Sequence, residues 1–228
     1  LVGPGRAGRA VAPKLLAAGW KCSAVAGRDP ATPSVQDAAE VLGAPAVDVS
    51  DAGRNCEVVV FATPDDQIAG AAALAAEGTA SGALFVHLAG SLGIDVFDDV
   101  RLLHPDLRVA ALHPLMAIPT PELGAHRLAG GRCAVAGDAE VLDMAAALGA
   151  EPFAVADEER VRYHAAAVVA SNHVVALLGH LERVATSAGL RPEVFLPLVR
   201  EAVDAVEVRG PAASLTGPVA RGDAATIA

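Results

Sequence analysis

Three glycines near the start of the chain are spaced so that a backbone turn could hold a phosphate group. Gly3, Gly5 and Gly8 form the pattern G-x-G-x-x-G within the stretch GPGRAG. The pattern follows an apolar residue and opens a helix-forming run, the context in which such a turn binds a pyrophosphate. The first glycine then makes a tight turn, the second lets the backbone approach the phosphates, and the third lets the helix pack on the sheet. We therefore expect this turn, with Arg6 and Ala7 at the helix start, to bind a dinucleotide rather than to be purely structural.

The end of the second predicted strand bears on which dinucleotide would bind. The strand ends at Gly27, and Arg28 then precedes Asp29 in the chain. An arginine there accommodates a ribose 2′-phosphate, whereas an acidic residue binds a free 2′-hydroxyl. The order favours NADP over NAD, with a solvated loop charge as the alternative for Arg28. Thr63 and Pro64 end a central strand, where they either lie along the nicotinamide half of the cofactor or simply begin a helix.

A long apolar helix in the second half of the chain carries residues suited to acid–base and hydrogen-bonding chemistry. His164 and Ser171 are seven residues apart and share one face, and Asn172 lies close to that face. Among Ala, Val and Leu such polar groups need partners, which favours a polar patch facing a ligand. His113, at the end of a predicted strand, is a second candidate acid because histidine titrates near neutrality.

A predicted alternation of strands and helices positions these residues. Apolar runs such as EVVVFA and ALFVHL are typical of strands buried on both faces of a parallel sheet. Helical stretches separate them, so the first part of the chain is predicted to be an α/β Rossmann fold with a doubly wound parallel sheet. Ligands of such sheets bind at the carboxyl ends of the strands.

The strand signals end after about residue 156, and Val161 to Ala188 is predicted to form one long helix. We therefore expect a dinucleotide-binding domain over residues 1–156 and an all-helical substrate or dimerisation domain over residues 157–228. The chain does not start with Met, so we expect a few residues of the first strand to precede Leu1.

Composition and net charge indicate which classes of partner the sequence disfavours. The formal net charge is −10 and the chain has no Lys/Arg cluster, which disfavours nucleic acid and anionic membranes. We expect no membrane-spanning helix. The three cysteines include no C-x-x-C, and the histidines lack zinc-ligand spacing, so the sequence predicts no metal site and a reducing, cytoplasmic compartment.

Several stretches together resemble a bacterial family of Rossmann-like oxidoreductases with a C-terminal helical domain of unknown function. They are GPGRAG, the strand ending in GRD, VVVFATPDDQI, HPLM, YHAAAVVASNHVVALL and LTGPVARGD. The family is similar to the 6-phosphogluconate dehydrogenase-like superfamily, which includes ketopantoate and pyrroline-carboxylate reductases. The resemblance implies NADP binding, a substrate between the two domains, dimerisation through the helices, and further residues at the C-terminus.

One departure concerns the catalytic Lys that many dehydrogenases of this superfamily place on the long helix. Here the chain has only Lys14 and Lys21, both in the first domain, so a Lys-dependent mechanism on that helix is excluded.

The sequence therefore predicts an NADP-dependent oxidoreductase that moves hydride to or from a small carboxylate-bearing C=O or C=N compound. His164 is the predicted proton donor, and Ser171 and Asn172 are predicted to orient the substrate. Arg221 is the candidate carboxylate clamp, because a guanidinium binds carboxylate in a bidentate manner, and Thr216 assists it. The alternative is an NADP-binding sensor or scaffold without turnover, which the absent helix Lys favours.

Overall fold

The computed structural model describes residues 1–227, and its sheet is built from short apolar strands. The strands are β1 (Val25–Ala26), β2 (Ala46–Val47), β3 (Val58–Phe61), β4 (Leu84–His87), β5 (Arg108–Pro114), β6 (Arg132–Gly137) and β7 (Glu151–Ala154). The helices of the same part of the chain are α1 (Arg6–Ala17), α2 (Pro33–Leu42), α3 (Ile68–Ala76), α4 (Asp98–Leu103), α5 (Pro121–Leu128), α6 (Glu140–Ala147) and α7 (Arg160–Val168).

Val2 joins two groups of strands into one sheet. It forms parallel bridges to Ala26 on one side and to Phe61 on the other. The order across the sheet is therefore β2, β1, Val2, β3, β4, β5, β6 and β7. The first segment of the chain thus lies inside the sheet and successive strands extend from it in both directions, which is the doubly wound arrangement.

Neighbouring residues of the central strands point into two separate cores. Phe61 and Phe85 pack in the core that contains α3, whereas Val60 and Val86 pack in the core that contains residues of α1 and α6. Both faces of the sheet are covered, which explains why the strands are apolar at every position. The predicted α/β Rossmann fold is confirmed.

An aromatic cluster supports the carboxyl end of β4. The ring centroids of Phe61 and Phe85 are 5.0 Å apart, and Phe97 lies 5.6 Å from Phe61. Phe97 also packs 5.6 Å from the ring of His87, so this histidine is held among apolar rings.

The sheet differs from the wholly parallel prediction at one edge. β6 pairs antiparallel with β5, with Ala110 opposite Gly137 and Pro114 opposite Cys133, and β7 is parallel to β6. Buried apolar runs do not encode strand direction, so the sequence pattern could not distinguish the two arrangements. Helices α4 and α5 were also not predicted.

The contacts divide the chain into two compact units, residues 1–169 and the residues from Ala170 onward. The sequence-based boundary at residue 156 lies earlier, because α7 belongs to the first unit. The second unit contains a π-helical turn ending at His173, followed by α8 (Val174–Ser187), α9 (Leu196–Ser214), α10 (Gly217–Arg221) and α11 (Ala224–Ile227).

One helical stretch, residues 157–187, is long and apolar enough to cross a membrane by length and composition. Arg160 in its first turn is fully buried within the first unit. A single helix of this kind is weak evidence for a membrane span, and a charged residue in its first turn is uncommon in such spans.

Candidate functional site

The glycine-rich turn has the geometry that the sequence predicted for it. Gly3 has φ +79°, and a Cβ atom added there would lie 2.6 Å from Thr63 Cγ2. A Cβ atom at Gly8 would lie 3.0 Å from Ala62 Cβ, so α1 packs closely on the end of β3. At Gly5 the nearest atom to such a Cβ is 3.9 Å away, and this side of the turn is therefore open.

The start of α1 faces this open side. Gly5 is the N-cap and has no side chain to accept a hydrogen bond from the first turn of the helix. The N–H groups of residues such as Arg6 and Ala7 therefore have no intrahelical acceptor, and they suit an anion at the positive end of the helix dipole.

The loop after β1 leaves Arg28 available for a ligand. The Asp29 carboxylate accepts the backbone N–H of Ala31 at 2.8 Å, which ties it to its own turn. Arg28 is exposed, and its Nη2 donates to Gln67 Oε1 at 3.3 Å. The Arg28 guanidinium is therefore available to meet a 2′-phosphate at this strand end, whereas the Asp29 carboxylate is bound to its own turn.

Two histidines lie at the carboxyl ends of adjacent strands. His87 ends β4 and is fully buried, with Nε2 3.1 Å from Gly93 O. His113 lies near the end of β5, and its Nδ1 is 2.7 Å from the hydroxyl of Tyr163 on α7. The Tyr163 ring also packs against Phe153 of β7, with centroids 5.9 Å apart, so the edge strand fixes the phenol beside His113.

His164 completes this group from the next position of α7. Its ring centroid is 5.8 Å from that of His113. The backbone of Gly90, after β4, lies close to both rings. A Cβ atom at Gly90 would lie 2.5 Å from His164 Nδ1 and 2.8 Å from His113 Nε2, so only glycine fits there.

Arg160 is a functional candidate that the sequence analysis missed. It is fully buried, and none of its three guanidinium nitrogens has a hydrogen-bond partner. Burial lowers the pKa of Arg160, and the nearby Asp157 opposes that shift. Arg160 and His164 are four residues apart on α7, a spacing that places them on one face and that could have pointed to the arginine.

Asp157 lies just before α7, and only one of its two carboxylate oxygens accepts a hydrogen bond. Its Oδ2 accepts the backbone N–H of Ile94 at 3.1 Å, whereas Oδ1 is buried without a donor. This hydrogen bond connects the start of α7 to the segment that follows β4.

Unpaired buried polar atoms are concentrated at this edge of the sheet. Among the residues that the structure describes there are seven such side-chain atoms. They are Thr63 Oγ1, His87 Nδ1, Asp157 Oδ1, the three guanidinium nitrogens of Arg160, and His164 Nδ1. Proteins pair the large majority of such groups, and each exception needs an explanation. Their location at the ends of β3 and β4 and at the start of α7 indicates the place of a polar ligand.

Burial keeps His87, His113 and Tyr163 neutral near pH 7. The pKa of His87 is lowered to about 4, first by burial and then by the charge of Arg160. The pKa of His113 is likewise lowered to about 4 by burial, with His164 and Arg160 contributing. Burial raises the pKa of Tyr163 to about 12. The contact between His113 and Tyr163 is therefore a hydrogen bond between two neutral groups near pH 7.

Four predicted site residues belong to the second unit. Ser171 and Asn172 lie in the π-helical turn, where Ser171 Oγ donates to Asn172 Oδ1 at 2.9 Å. Thr216 is the N-cap of α10, and Arg221 is the exposed last residue of the same helix. Their roles toward substrate stay predictions, as do those of the residues in the first unit.

One large cleft lies away from these residues. It has a volume of about 860 Å³ and is lined by the second half of α1, by Trp20 to Ser23 and by Asn55 to Val58. These segments lie at the amino ends of the strands, whereas sheets of this kind bind ligands at the carboxyl ends. Within the described residues no group of three or more His, Cys, Asp and Glu side chains could hold a metal ion.

The doubly wound sheet and the glycine turn define the class of this chain as a protein with a Rossmann-type dinucleotide-binding domain. Residues 1–90 match the family described as NADP oxidoreductase, coenzyme F420-dependent. Residues 133–228 match a domain of unknown function, DUF2520. The chain therefore combines an NADP oxidoreductase domain with a DUF2520 domain, and the resemblance inferred from sequence is confirmed.

Solved structures share this fold. BF3122 from Bacteroides fragilis, which its name assigns to the NADP oxidoreductases, is 21% identical, with a TM-score of 0.81 over 99% of this chain and 86% of that chain. Protein TM1727 from Thermotoga maritima is 27% identical, with a TM-score of 0.69 over 97% of this chain and 83% of that chain. A pyrroline-5-carboxylate reductase from Coxiella burnetii is 16% identical, with a TM-score of 0.66 over 99% of this chain and 87% of that chain. No curated protein is significantly similar to the chain.

The buried histidines make the stability of the fold depend on pH. The pKa of His87 is about 4 in the folded chain, below its ordinary value of 6.5, so the unfolded chain takes up a proton first as the pH falls. The stabilisation from neutral His87 is complete above about pH 6.5 and is lost as the pH falls toward 4, by about 2 kcal/mol between pH 7 and pH 5. We expect His87→Gln to reduce the loss of unfolding free energy between these pH values by about that amount.

Urea unfolding at pH 7 and pH 5 measures this difference. The control is His104→Gln, because His104 is exposed. Equal pH sensitivity in His87→Gln and the unmodified chain would show that His87 is not held neutral by the fold.

Proposed function

We propose that this chain is an NADP-dependent oxidoreductase that moves hydride to or from a small carboxylate-bearing compound with a C=O or C=N bond. The proposed site is the carboxyl edge of β3, β4 and β5 together with the start of α7. The family match of residues 1–90 to NADP oxidoreductases supports the reaction class. One of the solved structures that this chain resembles is a pyrroline-5-carboxylate reductase, which is consistent with a C=N substrate.

The observation that carries the proposal is the concentration of unpaired buried polar atoms at this edge. Seven such atoms lie at this edge, and each unsatisfied group costs the folded chain about 1–3 kcal/mol of stability. Sites that bind a polar ligand tolerate this cost because the ligand supplies the missing partners. The same edge carries the glycine turn, so cofactor and substrate groups belong to one side of the sheet.

The residues present fit the dinucleotide. The open face at Gly5 and the free N–H groups at the start of α1 would hold the pyrophosphate, and Arg28 would hold the 2′-phosphate. Thr63 and Pro64, beside the turn, would line the nicotinamide half. The bound dinucleotide would supply the hydride.

Proton transfer is assigned to the histidines and the phenol. His164 Nδ1 is buried without a partner and is the proposed donor to the substrate. His113, hydrogen-bonded to Tyr163, lies beside it and is the second candidate acid, which would have to take up a proton first because burial lowers its pKa to about 4. Ser171, Asn172, Thr216 and Arg221 are proposed to assist substrate binding.

A sensor or scaffold that binds NADP without turnover is the alternative. It is favoured by the positions of Lys14 and Lys21, which leave the long helix without a lysine. Cofactor binding without hydride transfer to any keto acid or imine would support this alternative.

Removing the Arg28 charge should weaken NADPH binding selectively. A lost hydrogen bond to a charged group costs about 1.5–3 kcal/mol, so Arg28→Gln should weaken NADPH binding at least about tenfold and leave NADH binding nearly unchanged. Calorimetric titration with NADPH, NADP, NADH and NAD measures both effects.

Arg101→Gln is the matched control, because Arg101 is an exposed arginine on α4. No binding of any of the four nucleotides to the unmodified chain would overturn the proposed function. Equal losses of NADPH and NADH affinity in Arg28→Gln would remove Arg28 as the 2′-phosphate group.

Loss of His164 should impair turnover but not cofactor binding. General acid catalysis contributes about 10²–10⁴-fold, so His164→Ala should lower kcat by a factor in that range. Oxidation of NADPH with a panel of keto acids and imines measures the rate, and calorimetry measures the cofactor. His126→Ala is the control because His126 is exposed, and unchanged turnover in His164→Ala would exclude the donor role.

A cytoplasmic homodimer formed through the helical domain completes the proposal. In residues 170–225 only Ala185 is buried, while residues such as Leu177 and Val208 are 68% and 82% exposed. A second copy of the chain would cover apolar area of this kind. Light scattering should give twice the chain mass of 22.8 kDa, and a mass of one chain at micromolar concentration would contradict it.

A further inference from the structure

Two opposite charges at the start of α7 both lack partners. The three guanidinium nitrogens of Arg160 have no acceptor, and Asp157 Oδ1 has no donor. The two charges influence each other, because Asp157 opposes the lowering of the Arg160 pKa, yet no hydrogen bond joins them. A ligand that satisfies both must present an acceptor to Arg160 and a donor to Asp157.

The charge balance of the surroundings narrows the ligand further. His87 and His113 are neutral near pH 7 because burial lowers the pKa of each to about 4. Asp65 and Asp95, which also act on these histidines, are exposed, so Arg160 and Asp157 are the opposite charges that a ligand would meet inside the site. A simple anion would leave Asp157 Oδ1 unpaired and the buried charges unbalanced, and both are costly in a desolvated site.

We propose that the site binds a small amino acid or imino acid, with its carboxylate on Arg160 and its N–H on Asp157 Oδ1. One zwitterionic ligand then supplies an acceptor for the guanidinium and a donor for the carboxylate, and the buried charges balance. This inference rests on the proposed function, because it names the substrate class of the same site. It assigns the carboxylate to Arg160 in the first unit, where the sequence had suggested Arg221.

Entry of the ligand requires a local opening. No atom of Arg160 is exposed, and the segment from Leu88 to Ile94 is held by the Ile94 N–H bond to Asp157 and by the contact of His87 with Gly93 O. The ligand N–H would bind Oδ1 of the carboxylate whose Oδ2 already accepts the Ile94 N–H. The segment after β4 is therefore the part that must separate from α7 during binding.

Matched ligands test the inference on the unmodified full chain. L-proline carries both charges on one ring, tetrahydrofuran-2-carboxylate keeps the carboxylate but has no N–H, and pyrrolidine keeps the N–H but has no carboxylate. L-valine, 3-methylbutanoate and isobutylamine form the equivalent open-chain set. Calorimetry with and without NADP should show at least one zwitterion bound about tenfold more tightly than both of its half-ligands.

Single substitutions assign each half of the ligand. Arg160→Met should make the zwitterion bind no better than the matching amine, and Asp157→Asn should make it bind no better than the matching carboxylate. Arg162→Gln is the control for Arg160, because Arg162 is an exposed arginine on the same turn that pairs with Glu159. Arg160→Met should also raise the melting temperature of the ligand-free chain, because it removes an unpaired buried charge.

The outcomes separate this inference from the proposed function. Equal affinity for a zwitterion and its carboxylate half-ligand, or no binding of either ligand set, would overturn the inference. So would a zwitterion preference that survives both substitutions. If NADP binds and these ligands fail, the inference is wrong while the oxidoreductase proposal stands. If the zwitterions bind and no nucleotide does, the oxidoreductase proposal fails instead. A variant that does not fold leaves the comparison on the unmodified chain to decide.

Discussion

The bridging of Val2 between two strands is the interaction on which the site depends. Its backbone pairs with Phe61 on one side and Ala26 on the other, so the turn at Gly3 emerges at the centre of the sheet edge. The same pairing sets Gly3 against Thr63 and places the loop with Arg28 next to the turn. The proposed phosphate binding at the turn and the proposed cofactor selection at the next strand thus both depend on one pair of bridges.

The exclusion of water from the candidate site determines the charge state of its histidines. The aromatic rings around the end of β4 and the Phe153–Tyr163 contact exclude water from His87 and His113, which keeps both histidines neutral. The same exclusion leaves Arg160 without solvent to replace a missing partner. A low-dielectric site of this kind strengthens every charge–charge contact with a ligand, at a cost to the stability of the empty protein.

The fold was largely predictable from the sequence, whereas the site was predictable only in part. The run EVVVFA predicted β3, and Thr63 and Pro64 follow its end as predicted, because a buried apolar run and a Thr-Pro stop are local signals. The direction of β6 depends on pairing across the sheet and has no local signal. His113 and His164 were found because histidines at strand ends and on apolar helices are conspicuous. Arg160 was missed because an arginine in a sequence is ordinarily read as a surface charge, and its burial depends on tertiary packing.

The antiparallel pairing of β6 determines where this protein could be divided. The family segment that begins at residue 133 includes most of β6 and all of β7, which complete the sheet of the first unit. Division at that boundary would leave β5 with bare hydrogen-bonding groups along the five residues that pair with β6, an edge prone to pair with other chains. It would also remove Phe153, the ring against which Tyr163 packs. A chimera that exchanges the helical region between relatives would therefore need its junction after α7, because the family segment and the second compact unit begin at different places in the chain.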